Sequence, residues 1–284
     1  IQKIDNATVR EAVQQAYERC KNETGGKNAD YIPYLANVNK DLFGISVCLL
    51  NLFGIAACLP DGEVIAVGDT DYKFGIESVS KVPTAILAMN QYSAQEVLTK
   101  IGADATGLPF NSIMAILLEN DHPSTPLVNA GAISACSMVQ PVGDSDGKWK
   151  AITGFIEGLA GSQVEVIDEL YKSETATNFN NKSIAWLLKN YNRIYDDPDM
   201  ALDIYTRQCS IGVTARQLSK FRPLYPIVGC TTQEHVWRQL NLSWGVVPAL
   251  VDEVGDTDTL FERAVDAAEK TGLVESGDLV GITA

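Results

Sequence analysis

Histidine is almost missing from this chain: of 284 residues, only His122 and His235 carry an imidazole. The six cysteines (Cys20, Cys48, Cys58, Cys136, Cys209, Cys230) contain no C-x-x-C pair. Together these gaps argue against a zinc site, and no metal is expected. The cysteines also lack any tight pairing rhythm, which reads as reduced core thiols in a cytoplasmic protein. Basic residues are scarce too: 22 Lys and Arg stand against 36 Asp and Glu, a formal charge of −14. Without a basic stripe to release counterions, nucleic acid is not an expected partner, and the acidity reads as solubility. The opening Ile1-Gln-Lys-Ile-Asp lacks the basic, apolar and small-residue sections of a signal peptide, and the missing initiator Met reads as trimming. One apolar run, Leu42 to Leu59, comes near spanning length. Ser46, Asn51, two glycines and several β-branched residues within it favour a pair of buried strands, so no membrane partner is expected.

What is present suffices for a core. The chain is 46% hydrophobic and 20% charged, and its length allows one or two domains. Val9, Val13 and Ala16 recur at helical spacing between Asn6 and Cys20, and Gly25-Gly26 ends the pattern. Leu42-Phe-Gly-Ile-Ser-Val-Cys-Leu49 returns ten residues later as Leu52-Phe-Gly-Ile-Ala-Ala-Cys-Leu59. The repeat is too short for a solenoid unit, and a local duplication without function is favoured over an extra hairpin strand. Pro60-Asp61-Gly62 signals a turn, and Glu63 to Val67 reads as the next strand. From Ser80 to about Tyr205 the texture is helical, with breaks at Gly107-Leu-Pro109 and Val142-Gly-Asp144. After about Ser210 short apolar runs alternate with helical ones: Pro226 to Cys230, Gln233 to Leu240, Val246 to Val251, Thr259 to Lys270, Asp278 to Thr283. That rhythm predicts a small parallel sheet, and the change of texture sets an expected domain boundary between 209 and 210.

The candidate chemistry lies in Ser78-Val79-Ser80-Lys81. A serine and a lysine three apart share a helix face, so the amine can reach the hydroxyl. If Ser78 opens the helix, the positive dipole end and burial both lower the lysine pKa and leave neutral amine to act as base. A serine hydroxyl needs such a base. The spacing alone is common, and a surface serine and lysine would satisfy it equally.

The surrounding text is more specific. Asn28-Ala-Asp-Tyr-Ile-Pro-Tyr-Leu35, Ala66-Val-Gly-Asp69, Phe74 to Val82, Gly107-Leu-Pro-Phe-Asn-Ser112 and Pro126-Leu-Val-Asn-Ala-Gly-Ala132 together resemble the serine-dependent glutaminases. Ser173-Glu-Thr-Ala-Thr-Asn-Phe-Asn-Asn181, Ile184-Ala-Trp-Leu-Leu188 and Ile204-Tyr-Thr-Arg-Gln-Cys-Ser210 continue the resemblance in family order. It implies an α+β, β-lactamase/DD-peptidase-like fold with a helical subdomain over residues 1–209. It also implies hydrolysis of L-glutamine to L-glutamate and ammonia through an ester on Ser78, with Lys81 as base and no cofactor. By the same carry-over Ser78, Asn129, Glu174, Asn181 and Tyr205 line the substrate site. Their chemical types fit an amino-acid substrate, since a carboxylate and amide oxygens hold an α-ammonium and a phenol donates to a carboxylate. Each also has a plainer role open to it, as a turn former, a helix cap or an ordinary helix-face residue.

The later sequence departs from that family. A further substrate-site tyrosine and a Lys-Ser-Gly strand that helps build the oxyanion hole are not found. Instead, Gly212 to Pro223, Gln239 to Leu250, Asp256 to Val265 and Ser276 to Ala284 resemble the C-terminal domain of pyruvate kinase. That resemblance implies a small α/β segment over 210–284 with a role in assembly, hence a possible homo-oligomer. The kinase's catalytic barrel is not among these blocks, so kinase activity is not expected. Ser210 to Thr214 resembles that family's sugar-phosphate loop, for which a plain turn and cap is the favoured alternative. Two other functions stay open: a catalytically silent binding or assembly protein, and another S-x-x-K acyl-transferase.

Overall fold

The computed structural model describes residues 6–48, 64–104, 106–118, 121–221, 227–240, 246–252 and 257–274. The chain divides into two compact units, Ile1–Lys220 and Phe221–Ala284.

The first unit opens with α1 (Asn6–Cys20) and the short α2 (Pro33–Ala36), followed by β1 (Gly44–Cys48) and β2 (Val64–Gly68). The strands pair antiparallel from Gly44↔Gly68 to Cys48↔Val64. Helix α1 turns Val13 inward, and Tyr17 stacks on Phe43, with ring centroids 5.5 Å apart. The first copy of the tandem repeat thus supplies β1. The second copy, at 52–59, and the turn signal at 60–62 lie outside the described residues.

Beyond β2 come β3 (Phe74–Gly75), a 3-10 turn (Glu77–Ser80), α3 (Lys81–Tyr92), α4 (Ala94–Lys100) and α5 (Ile113–Leu118). The buried α6 (Asn129–Met138) follows, then α7 (Ser145–Ala160), β4 (Glu165–Val166), α8 (Asp168–Thr177), α9 (Phe179–Asn190) and α10 (Pro198–Cys209). The unit closes with β5 (Ile211–Val213) and α11 (Ala215–Leu218). The helical stretch expected from the sequence is therefore present.

Every residue of α6 is buried, and α3, α9 and α10 pack around it. A helix apolar on all sides suits such a central position. The shape of Asn129-Ala-Gly-Ala132 follows from packing: a Cβ on Gly131 would collide with the carbonyl of Thr125. At the other end of α6, the fully buried Lys148 donates to the carbonyls of Cys136 (3.1 Å) and Ser137 (2.8 Å) and pairs with Asp196 at 2.9 Å. The ammonium thereby satisfies carbonyls that the helix end leaves unpaired.

A small sheet of order β3-β5-β4 holds the 3-10 turn against the body of the unit. Phe74 pairs with Val213, Gly75 with Gly212, and the Ile76 amide donates to Ile211 at 2.8 Å. Strand β5 is fully buried. Residues 211–218, which follow the change of sequence texture, pack within the first compact unit.

The second unit contains β6 (Ile227–Thr231), α12 (Glu234–Leu240), β7 (Val246–Leu250) and α13 (Thr257–Lys270). Strands β6 and β7 run parallel, from Ile227↔Val246 to Thr231↔Leu250, as the alternating texture predicts. The indole of Trp237 donates to the Pro248 carbonyl at 3.2 Å, tying α12 to β7. The expected strand at 278–283 lies outside the described residues. No described helix is long and apolar enough to cross a membrane.

Candidate active site

Ser78 sits in the 3-10 turn, and α3 begins only at Lys81, so the serine precedes the helix instead of opening it. The i to i+3 spacing works equally well there, because a 3-10 turn places those two residues directly over one another. Lys81 Nζ donates to Ser78 Oγ at 2.8 Å. The serine is exposed, whereas the lysine is only 3% exposed. Burial lowers the Lys81 pKa, while Cys209, Glu174 and Glu77 pull it back upward. Ser80, fully buried, donates its hydroxyl to the Glu77 carbonyl at 2.6 Å and locks the turn.

A second cluster forms at the start of α6. The Asn129 side chain donates to Asn181 Oδ1 at 2.8 Å and accepts from the Tyr205 hydroxyl at 3.0 Å. Asn129 and Tyr205 are 4% and 2% exposed. Burial pushes the Tyr205 phenol well above its usual range, with Cys209 and Glu174 adding to the effect, so it stays protonated and remains a donor. Its one proton is directed at Asn129, so within the protein Tyr205 acts by orienting that amide. Phe110 links the two clusters: its carbonyl accepts the Asn129 amide at 2.9 Å, and its ring centroid lies 5.5 Å from Lys81 Nζ.

Glu174, on α8, is 8% exposed and leaves Oε2 without a hydrogen-bond partner. Burial raises its pKa to about 8, Glu77 adds to the rise, and Ser210 and Lys81 oppose it. It is thus coupled by charge to the Ser78–Lys81 turn and to Tyr205. The six residues singled out from the sequence therefore fall into a hydrogen-bonded pair, a hydrogen-bonded triad and one carboxylate coupled to both.

Residues not singled out join them. Glu77 adopts φ +50°, a left-handed conformation unusual for a residue with a side chain. Burial raises its carboxyl to about 7, against the pull of Lys81. Cys209, fully buried, places its sulfur 3.8 Å from the Ser80 hydroxyl. An acidic residue next to the nucleophile was the available signal for Glu77; nothing in the spacing marks Cys209. Cys20, Cys136, Cys209 and Cys230 are free thiols. Among the described residues no group of three or more His, Cys, Asp or Glu is placed to hold a metal ion.

The glutaminase family model matches residues 26–239, and that of the pyruvate kinase alpha/beta domain matches residues 208–284. The two matches overlap across the junction expected from the sequence. Over 217 residues the chain is 74% identical to a glutaminase of Bacteroides thetaiotaomicron, an alignment covering 76% of this chain and 64% of that protein. Among solved structures, one described as probable glutaminase YbaS is similar at a TM-score of 0.69 and 43% identity, covering 76% of this chain and 66% of the other. A second, probable glutaminase from Bacillus subtilis complexed with 6-diazo-5-oxo-L-norleucine, gives a TM-score of 0.57 and 26% identity, covering 75% and 61%. The chain belongs to the glutaminase family. It spans 64% of the length of the Bacteroides relative it matches.

Proposed function

We propose that this chain is a serine-dependent glutaminase of β-lactamase-like fold that hydrolyses L-glutamine to L-glutamate and ammonia. The observation that carries the reading is the 2.8 Å hydrogen bond from a buried lysine to an exposed serine hydroxyl. Neutral Lys81 takes the Ser78 proton as Oγ attacks the side-chain amide carbon of glutamine. Collapse of the tetrahedral species breaks the C–N bond, and the Lys81 ammonium returns the proton to the departing nitrogen, releasing ammonia. Water then attacks the ester, Lys81 accepts a proton from it and passes one back to Ser78, and glutamate leaves.

Glu174 and the amide oxygens of Asn129 and Asn181 suit the substrate's α-ammonium, and Tyr205 keeps Asn129 oriented. The Bacillus subtilis structure holds 6-diazo-5-oxo-L-norleucine, an amino acid with a glutamine-like side chain, which supports the substrate class. We further propose a boundary between the two family-like segments near 209/210, a cytoplasmic location, and an assembly role for the pyruvate-kinase-like segment that gives a homo-oligomer. The expected result is ammonia release from L-glutamine that falls to background in Ser78→Ala; undiminished release in that variant overturns the assignment of Ser78.

A further inference from the structure

Glu77 stands between the nucleophile and the strand that carries it, and its backbone turns the carboxylate inward while Ser78 faces outward. The niche it enters is one that glycine makes possible. A Cβ on Gly75 would collide with Leu170 and lie 3.1 Å from Glu77 Oε1 and 3.5 Å from the Cys209 carbonyl. Leu170 is one helical turn before Glu174 on α8, so both side chains lie on the same face of that helix. The Glu77 carboxylate is thus directed toward the face of α8 that carries Glu174. Neither Glu77 Oε1 nor Glu174 Oε2 has a hydrogen-bond partner, although both atoms are buried.

The groups facing Glu77 are few and identified. Lys81 at the start of α3, Glu174 on α8, Cys209 at the end of α10 and Tyr31 ahead of α2 are the titratable groups coupled to it. Only Lys81 among them is cationic, and its ammonium is already engaged with Ser78 Oγ. Two buried carboxylates facing one shared cation cannot both ionise cheaply, so one proton is retained between them. A left-handed glutamate costs backbone energy, which the surrounding structure sustains by the Ser80 hydroxyl bond to its carbonyl.

We propose that Glu77 is a positioning residue acting through Glu174: the two carboxylates share one proton until the α-ammonium of glutamine binds and displaces it. The incoming cation supplies the charge that lets both carboxylates ionise, so substrate capture is coupled to proton release. The proton passes to solvent, and no bond other than O–H is broken. This inference rests on the proposed glutamine site and adds to it a source of pH dependence that Glu174 alone would not supply.

The test uses the full chain carrying Ser78→Ala, which binds without turnover, titrated with L-glutamine at pH 7 in PIPES and in imidazole. Calorimetric heats that differ between these buffers report the protons released. Release of about one proton per glutamine is expected, largely lost in the Ser78→Ala/Glu77→Gln double variant and restored with Glu77→Asp. Glutamine binding with no proton release, or with the same release in the Glu77→Gln background, overturns the proposal and leaves the glutamine reading intact. Absence of binding to the Ser78→Ala chain overturns the glutamine reading itself. Should the double variant fail to melt cooperatively, infrared spectra of the Ser78→Ala protein decide: a carboxylic-acid stretch that disappears on adding glutamine supports the shared proton, and one that persists overturns it.

Discussion

A buried ammonium within 2.8 Å of a serine hydroxyl is held between two influences. Burial drives it toward the neutral amine, while Cys209, Glu174 and Glu77 favour the charged form. The base is competent only when neutral, so the turnover rate is expected to rise with pH through the lowered Lys81 pKa and then level. Lys81→Ala is expected to reduce kcat by roughly 10²–10⁴-fold, as befits loss of a general base, and to abolish that rise. Rate profiles measured at saturating glutamine across roughly pH 5.5–9.5 check both effects; an unchanged acid limb in the variant would assign that titration to another group. At this scale the sequence was informative about identity and less so about orientation. Ser78 and Lys81 were legible because three-residue spacing brings such side chains together in either helix type. The inward turn of Glu77 was not, because it depends on a positive φ and on a niche formed by residues distant in sequence.

Among the elements, α6 shows how packing prepares the site. Its first residue, Asn129, receives the Tyr205 hydroxyl and contacts Asn181, and its third, Gly131, lies against the Thr125 carbonyl. Gly131→Ala is therefore expected to destabilise the protein by at least about 2 kcal/mol, since backbone rather than a movable side chain opposes the added methyl. For a domain of this size that corresponds to a fall in Tm of roughly 5 °C or more, measurable by calorimetry. A Tm within a degree of the parent would show that the helix can shift to accept the methyl. The sequence disclosed α1, the helical stretch and the parallel pair β6 and β7 through their periodicities. Its change of texture near Ser210 comes before the first compact unit ends, because texture follows composition and compactness follows packing. Ile211–Val213 belongs by family resemblance to the later segment, yet its hydrogen bonds run to β3 and β4.

For the whole molecule, the two raised carboxyls imply a stability that declines with alkalinity. A glutamate at about 8 in the folded state, against an ordinary 4.5 when unfolded, retains a proton that the unfolded chain has lost between those values. Glu77, at about 7, acts in the same direction. Their contribution is complete below pH 4.5 and is lost as pH rises through 7 and 8. Apparent unfolding free energy is expected to fall by a few kcal/mol, order of magnitude, between about pH 5 and 9, and less so in Glu174→Gln. Denaturant titrations at those two pH values test it; equal midpoints would place both carboxylates in an ionised state throughout.

The pairing of Cys48 with Val64 has a consequence of another kind. Directly opposed residues of an antiparallel pair lie about 5 Å apart, so a segment joining them leaves and returns at nearly the same point. Lengthening such a detour costs only about 0.6 kcal/mol for each doubling. The tandem copy therefore occupies a place where the chain can gain or shed residues freely. Removing residues 51–60 would join the strands through Leu49-Leu50-Asp61-Gly62-Glu63, a glycine-containing connection of a length that hairpins commonly use. That deletion is expected to leave the melting temperature and ammonia release close to those of the parent, making this connection a natural port for a reporter peptide.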